Sequence, residues 1–185
     1  MTKKTKAELI ENFLIVWNPK SGSDLYLHGF YGKPVGIAKP KLTDFKVPLI
    51  PDLMEGLYLM EKKLLKIYEG PKKQTVGVRK LRRKARALYE EFALKYTVYR
   101  DLRENGLVVT PGIKYGCDFA AYKEGPGIDH APYMVSVKKL RDEVTATDIV
   151  KAGRLATTVR KRFIMAGAYH KDGKIPYLIF KWFKA

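Results

Sequence analysis

Residues Gly112 to Tyr133 read GIKYGCDFAAYKEGPGIDHAPY. Tyr115 opens a run in which Cys117, Phe119 and Ala121 alternate with Asp118, Ala120 and Tyr122, the period of a strand. A loop broken by glycine and proline follows, and His130 stands just before a second strand-like run, Tyr133 to Val137. Glycine and proline set the backbone here and leave isolated polar side chains between them. A loop built this way positions chemistry more often than it fills a core.

Working outward from this stretch, the C-terminal side continues the mixture of strand and helix. Thr145 and Asp148 have capping-box spacing and predict a helix to about Leu155. TVRKRFIMAGAYH and IPYLIFKWF then form a hairpin-like pair around Lys171-Asp172-Gly173-Lys174. On the N-terminal side, LVVT reads as a strand. Before it, Leu81, Ala85, Leu88, Phe92, Tyr96, Tyr99 and Leu102 share one face of a single helical pattern running from Thr75 to about Glu104. Asn105-Gly106 ends it.

Further upstream, Asp52 is an N-cap for a helix carrying Leu53, Leu57, Met60, Leu64 and Ile67, with Gly70-Pro71 as the stop. FLIVW, DLYLHGFYG and PVGIA, separated by turn signals such as Asn18-Pro19-Lys20-Ser21-Gly22, predict a small antiparallel sheet. Between these lies KPKLTDFKVPLIP, whose Pro40, Pro48 and Pro51 make it an exposed loop bearing Lys41 and Lys46. Such a basic loop is either an RNA contact or a solvated connector. The expected class is α/β (α+β), with a small mixed N-terminal domain over residues 1–90 and a C-terminal α/β domain over 91–185.

Charge narrows the function. The 36 Lys+Arg against 19 Asp+Glu give a formal net charge of +17, and the excess is shared by both halves. A field of this sign attracts polyanions, nucleic acid first. The segment KKQTVGVRKLRRKAR, Lys72 to Arg86, contains no acid. A single cysteine, Cys117, allows no intramolecular disulfide and suits a reducing compartment. No apolar run approaches the roughly 20 residues that span a bilayer, and MTKKTKAELIEN lacks an apolar signal core, so no membrane partner and a cytoplasmic location are expected.

The residues also limit the chemistry. With three histidines (His28, His130, His170) and one cysteine, no HExxH or CxxC spacing exists, and no metal or other cofactor is expected. No phosphate-cradling P-loop is present. Metal-free acid–base chemistry remains, and RNA suits it because its 2′-hydroxyl is a built-in nucleophile. Histidine donates a proton near neutrality, and lysine stabilises charge on a phosphorane. A tyrosine, ordinarily about one part in a thousand ionised at neutral pH, works as a base only with positive charge nearby. Lys161 shares strand parity with the apolar Val159 and Phe163, a costly place for a charge unless its stem snorkels outward.

RENGLVVTPGIKYGCDFAAYK, IDHAPYMVSV and GRLATTVRKRF resemble three successive motifs of archaeal tRNA-splicing endonucleases, over residues 95–183; EGLYLMEKKLL resembles the family's N-terminal-domain helix. The resemblance implies a restriction-endonuclease-like C-terminal domain. It also implies metal-free cleavage of precursor tRNA at bulge–helix–bulge junctions, leaving 2′,3′-cyclic phosphate and 5′-hydroxyl ends. On this resemblance Tyr115 is the general base, His130 the general acid and Lys161 the transition-state stabiliser. Arg154 is the arginine that sandwiches a bulge base, with Lys174, Lys181 and Trp182 as candidates for its partner. Assembly is implied as a homotetramer, or as the catalytic half of an (αβ)2 heterotetramer with a structural subunit. The loop over residues 39–51 resembles an insertion of crenarchaeal catalytic subunits and favours the second. Lys171 and Lys174 beside Asp172 depart from the acidic docking loop of the family. A non-catalytic RNA-binding subunit and a metal-dependent DNA nuclease are the competing readings.

Overall fold

A computed structural model describes residues 4–38, 40–41, 43–128, 131–158, 162–168 and 174–180. The chain divides into two compact units, 1–90 and 91–185, and the fold is α+β. In the first unit, β1 (Thr5–Ile10) and β2 (Phe13–Ile15) form a hairpin. β1 also pairs in parallel with β5 (Leu65–Glu69), which pairs antiparallel with β6 (Gln74–Val76), giving the order β2-β1-β5-β6. Ala7, Leu9, Leu14, Leu65, Ile67 and Val76 point to one face and are buried there. The helix α2 (Leu53–Glu61) supplies Leu53, Leu57 and Leu59 to the same core.

The antiparallel reading of residues 12–38 is corrected beyond β2. Asp24–Gly32 is not a strand: α1 (Pro19–Leu27) takes Asp24–Leu27, and residues 28–32 lie in no helix or strand. Of PVGIA, only Pro34 lies in a strand. The Asn18-Pro19 turn signal is a helix start, in which Asn18 Oδ1 accepts from the Ser21 amide at 2.9 Å and Pro19 sits where an amide would have no partner. The two-residue strands β3 (Lys33–Pro34) and β4 (Leu49–Ile50) pair with each other. Asp52 does cap α2, through a complete capping box with Glu55. That helix stops earlier than its apolar spacing suggests. Lys63 takes φ 60°, the chain turns, and Leu65 and Ile67 continue as strand β5. Pairing with β1 overrides a helical spacing.

The single helix expected from Thr75 to Glu104 is two: α3 (Val78–Leu88) and α4 (Phe92–Glu104). Tyr89 leaves helical backbone at φ −109°, ψ 122°, and Glu91 adopts the left-handed region at φ 52°, ψ 32°. Apolar residues four apart continue across this break, so spacing alone could not reveal it.

The second unit is a five-stranded sheet in the order β11-β10-β9-β8-β7. Its strands are β7 (Val108–Pro111), β8 (Phe119–Tyr122), β9 (Tyr133–Lys139), β10 (Arg162–Ala168) and β11 (Tyr177–Phe180). β9 and β10 are parallel and joined through α5 (Ala146–Thr158); the other pairs are antiparallel. The expected capping box opens α5: the Asp148 amide donates to Thr145 Oγ1 at 3.1 Å, and the Thr145 amide donates to Asp148 Oδ2 at 3.2 Å. The β10–β11 pairing also follows the expected hairpin, although residues 169–173 lie outside the described residues.

Polar contacts from Arg103 and Asp101 help tie helix α4 to the sheet. Arg103, 8% exposed, donates to Tyr99 Oη at 3.1 Å and to the Val109 carbonyl at 3.0 Å. Tyr177 Oη donates to Asp101 Oδ2 at 2.5 Å. Burial first, and then this hydrogen bond to a carboxylate, push the Tyr177 hydroxyl above the ordinary tyrosine range. The folded chain therefore holds the proton more tightly than the unfolded chain does. The associated stability is full below a pH of about 10 and is lost as pH rises beyond it. Melting between pH 8 and 11 should show this loss, and Tyr177→Phe should make the profile flatter; equal slopes would mean the contact contributes nothing.

Candidate active site

Tyr115 lies at the end of a single 3-10 turn, Ile113–Tyr115, between β7 and β8, not inside a strand as its sequence parity suggests. The turn is closed by its own backbone. The Tyr115 amide donates to the Gly112 carbonyl at 2.8 Å, the Gly116 amide to Ile113 at 3.1 Å, and the Gly112 amide to the Asp118 carbonyl at 2.9 Å. Gly116 takes φ 66°, where an L side chain is strained. Gly112 is needed for a different reason. A Cβ there would stand 2.6 Å from Cys117 Sγ, 2.7 Å from the Phe119 carbonyl carbon and 2.8 Å from the Phe119 nitrogen.

Asp118 fixes the turn to its neighbours. Its Oδ2 accepts from the Val137 amide at 2.8 Å and its Oδ1 pairs with Lys95 Nζ at 2.9 Å, while its own amide donates to the Val135 carbonyl at 3.0 Å. The described partners of Asp118 make it a clamp joining the start of β8 to β9 and α4. Sequence reasoning missed this role, and the signal for it, a lone carboxylate on a strand end beside a fixed glycine turn, is weak. Among the described residues no group of three or more His, Cys, Asp or Glu side chains could hold a metal ion.

Tyr115, half-buried, packs against an apolar cluster of Ala120, Ala131, Met134, Ala152, Phe163 and Met165. Ala131 directly follows position 130, and Phe163 is two residues after position 161. The sheet joins the same two flanks: Tyr133 is opposite Arg162, whose amide donates to the Pro132 carbonyl at 2.9 Å and whose guanidinium lies 5.9 Å from the Tyr133 ring centroid. His130 and Lys161 themselves lie outside the described residues, as do Lys181 and Trp182. A cavity of about 320 Å³ adjoins the turn, lined by residues that include Ile113, Cys117, Asp118, Lys138, Asp148 and Phe163. Tyr115 is not part of its lining, in which Lys138 and Asp148 form an ion pair at 3.0 Å.

Arg154 is exposed on α5, two residues after the fully buried Ala152. Lys41 and Lys46, in the first unit, are exposed as expected, but their loop is anchored. Phe45 between them is 7% exposed, its amide donates to Ser23 Oγ at 3.0 Å, and its ring meets Tyr26 edge-on at 6.0 Å.

The family model for the tRNA intron endonuclease catalytic C-terminal domain matches residues 92–177, and that for the tRNA intron endonuclease N-terminal domain matches residues 5–82. The chain belongs to the tRNA intron endonuclease family. A tRNA-splicing endonuclease of Hyperthermus butylicus is 44% identical over 179 residues, covering 97% of this chain and 98% of the relative. Those of Saccharolobus islandicus and Sulfurisphaera tokodaii are each 38% identical, covering 97% and 96% of this chain and 98% of each relative. The unit holding Tyr115 is thus the tRNA intron endonuclease catalytic domain, and the chain is of the endonuclease class. Among the described residues, no helix is long and apolar enough to cross a membrane.

Proposed function

We propose that this chain is a tRNA-splicing endonuclease that excises introns from precursor tRNA at bulge–helix–bulge junctions, without a metal. One observation carries the reading beyond family membership: Tyr115 sits on a turn fixed by backbone, against a cluster whose members flank positions 130 and 161. Three groups from distant stretches of sequence then serve one phosphodiester.

In this mechanism Tyr115 takes the proton of the 2′-hydroxyl at the junction. The 2′-oxygen bonds to phosphorus as the bond from phosphorus to the 5′-oxygen breaks. His130, protonated, gives its proton to that leaving oxygen, and Lys161 stabilises the charge on the non-bridging oxygens in between. The products are a 2′,3′-cyclic phosphate and a 5′-hydroxyl, and no water enters. Arg154, exposed on α5, stacks on a bulge base, with Trp182 beside the same bulge. Lys41 and Lys46 contact the RNA backbone from their anchored loop.

The chain works as the catalytic half of an (αβ)2 heterotetramer with a structural subunit. A homotetramer is the second arrangement, and the native mass of the active complex decides between them. Incubation of the assembled complex with a bulge–helix–bulge RNA in excess EDTA tests the function itself. Full cleavage is expected; cleavage that needs added Mg²⁺ would leave a metal-dependent nuclease, and binding without cleavage a non-catalytic subunit. Arg154→Ala should raise KM about tenfold with little change in kcat; unchanged kinetics would remove Arg154 from the site.

A further inference from the structure

The sheet of the first unit has two faces, and α2 covers only one. The other carries Lys6, Glu8 and Ile10 from β1, Phe13 and Ile15 from β2, and Lys66 and Tyr68 from β5. Cross-strand register sets Lys6 beside Lys66, Glu8 between Ile15 and Tyr68, and Ile10 beside Phe13. Directly paired residues share a face. This face is unusually aromatic for an exposed surface: Phe13 is 59% exposed, and Trp17, just beyond β2, is 55% exposed.

Trp17 is held. Its indole Nε1 donates to Glu8 Oε2 at 2.6 Å, which orients the ring at the edge of this face. Trp17 and Tyr68 line a cavity of about 300 Å³, together with Lys6, Glu8, Asn18 and Lys73. That volume is at the small end for a ligand pocket. Lys6 and Lys73, which line it, and Lys66, paired with Lys6 on the same face, are all exposed. The unit that holds them carries 19 basic against 9 acidic residues.

We propose that this face is a second RNA-binding site, which stacks an unpaired base on Trp17 while Lys6, Lys66 and Lys73 meet the flanking phosphates. A sheet face with exposed aromatics among lysines suits single-stranded RNA, because every base has a flat apolar face and every linkage a negative charge. Helical RNA offers no unstacked base to the indole. The polyanion is favoured over a protein partner by the lysines that ring the aromatics. The site goes beyond the cleavage reaction and uses none of its residues.

Anisotropy of a fluorescein-labelled oligouridine 12-mer, titrated with the full chain at low salt, tests the proposal against a duplex of equal length. Trp17→Ala should weaken single-strand binding about tenfold, and Trp17→Phe much less, since a ring remains to stack. Duplex binding should hardly change. Neither variant should lower the melting temperature by more than a degree or two, the indole being mostly exposed. A Trp17→Ala protein that binds the 12-mer as the parent does would overturn the proposal. So would equal losses for Phe and Ala, or altered native mass with RNA affinity intact, which would make the face a protein interface. Cleavage of a minimal junction substrate, with kcat unchanged in both variants, keeps this outcome separate from that of the splicing reaction.

Discussion

His130→Ala should lower the rate of junction cleavage about 10²–10⁴-fold, and Lys161→Ala about 10²–10³-fold, with affinity for the precursor nearly unchanged in each. The expectation follows from the role proposed for each group. The leaving 5′-oxygen departs poorly as an alkoxide, so without the proposed histidine acid that proton must come from water. In its proposed role the lysine acts on charge that exists only between reactant and product, so its loss should fall on kcat and spare KM. Tyr115→Phe should be milder, because water or a neighbouring group can accept the 2′-proton. Single-turnover cleavage beside filter binding separates the terms. Loss of binding in proportion to rate would make His130 and Lys161 binding residues.

Gly112→Ala should be the most damaging substitution away from those three residues. It should cost about 2–3 kcal/mol of stability by overpacking, and about 100-fold in cleavage rate through a displaced tyrosine. Gly112 has φ −93°, which any residue adopts, so the cost is steric. The added methyl meets Cys117 Sγ at 2.6 Å, which can rotate away, but also the Phe119 backbone at 2.7–2.8 Å, which cannot without opening the start of β8. That strand end is clamped through Asp118 to β9 and α4. Thermal melting and cleavage should fall together. A Gly112→Ala protein with normal melting and rate would show that the turn yields freely, and that its rigidity does not position Tyr115.

The C-terminal unit was the more legible half. LVVT, YMVSV and the final hairpin are strands where their alternation and turn residues place them, the strand expected to open at Tyr115 begins only at Phe119, and Thr145 with Asp148 opens α5 through side-chain hydrogen bonds that sequence spacing alone announces. The N-terminal unit was harder because its signals conflict. Leu64 and Ile67 continue a helical spacing, yet strand pairing with β1 claims Ile67, and the break at Lys63 carries no glycine to mark it. Asn18-Pro19 serves a turn or a helix start equally well until the packing of Leu25 and Tyr26 is known. Glu91 breaks a helix from a left-handed conformation that its residue type does not advertise. At the candidate site, residue types and motif order nominate the tyrosine. Its 3-10 turn, the steric need for Gly112 and the Asp118 clamp are not legible there: the first two rest on close backbone approach within residues 112–119, and the clamp on contacts with β9 and α4. The Trp17 face escaped for a similar reason: FLIVW reads as one apolar strand, and only pairing with β1 separates its buried Leu14 and Val16 from its exposed Phe13 and Trp17.

The most direct test removes the nucleophile from the substrate. A bulge–helix–bulge RNA carrying a 2′-deoxynucleotide 5′ to each of its two scissile phosphates, incubated with the enzyme in excess EDTA, lacks both attacking hydroxyls and keeps every other contact. It should bind like the all-ribose RNA and stay intact, while the all-ribose RNA is cut to 2′,3′-cyclic phosphate and 5′-hydroxyl ends. Cleavage of the deoxy-substituted junction at the all-ribose rate would contradict attack by the 2′-hydroxyl, and with it the roles given to Tyr115, His130 and Lys161.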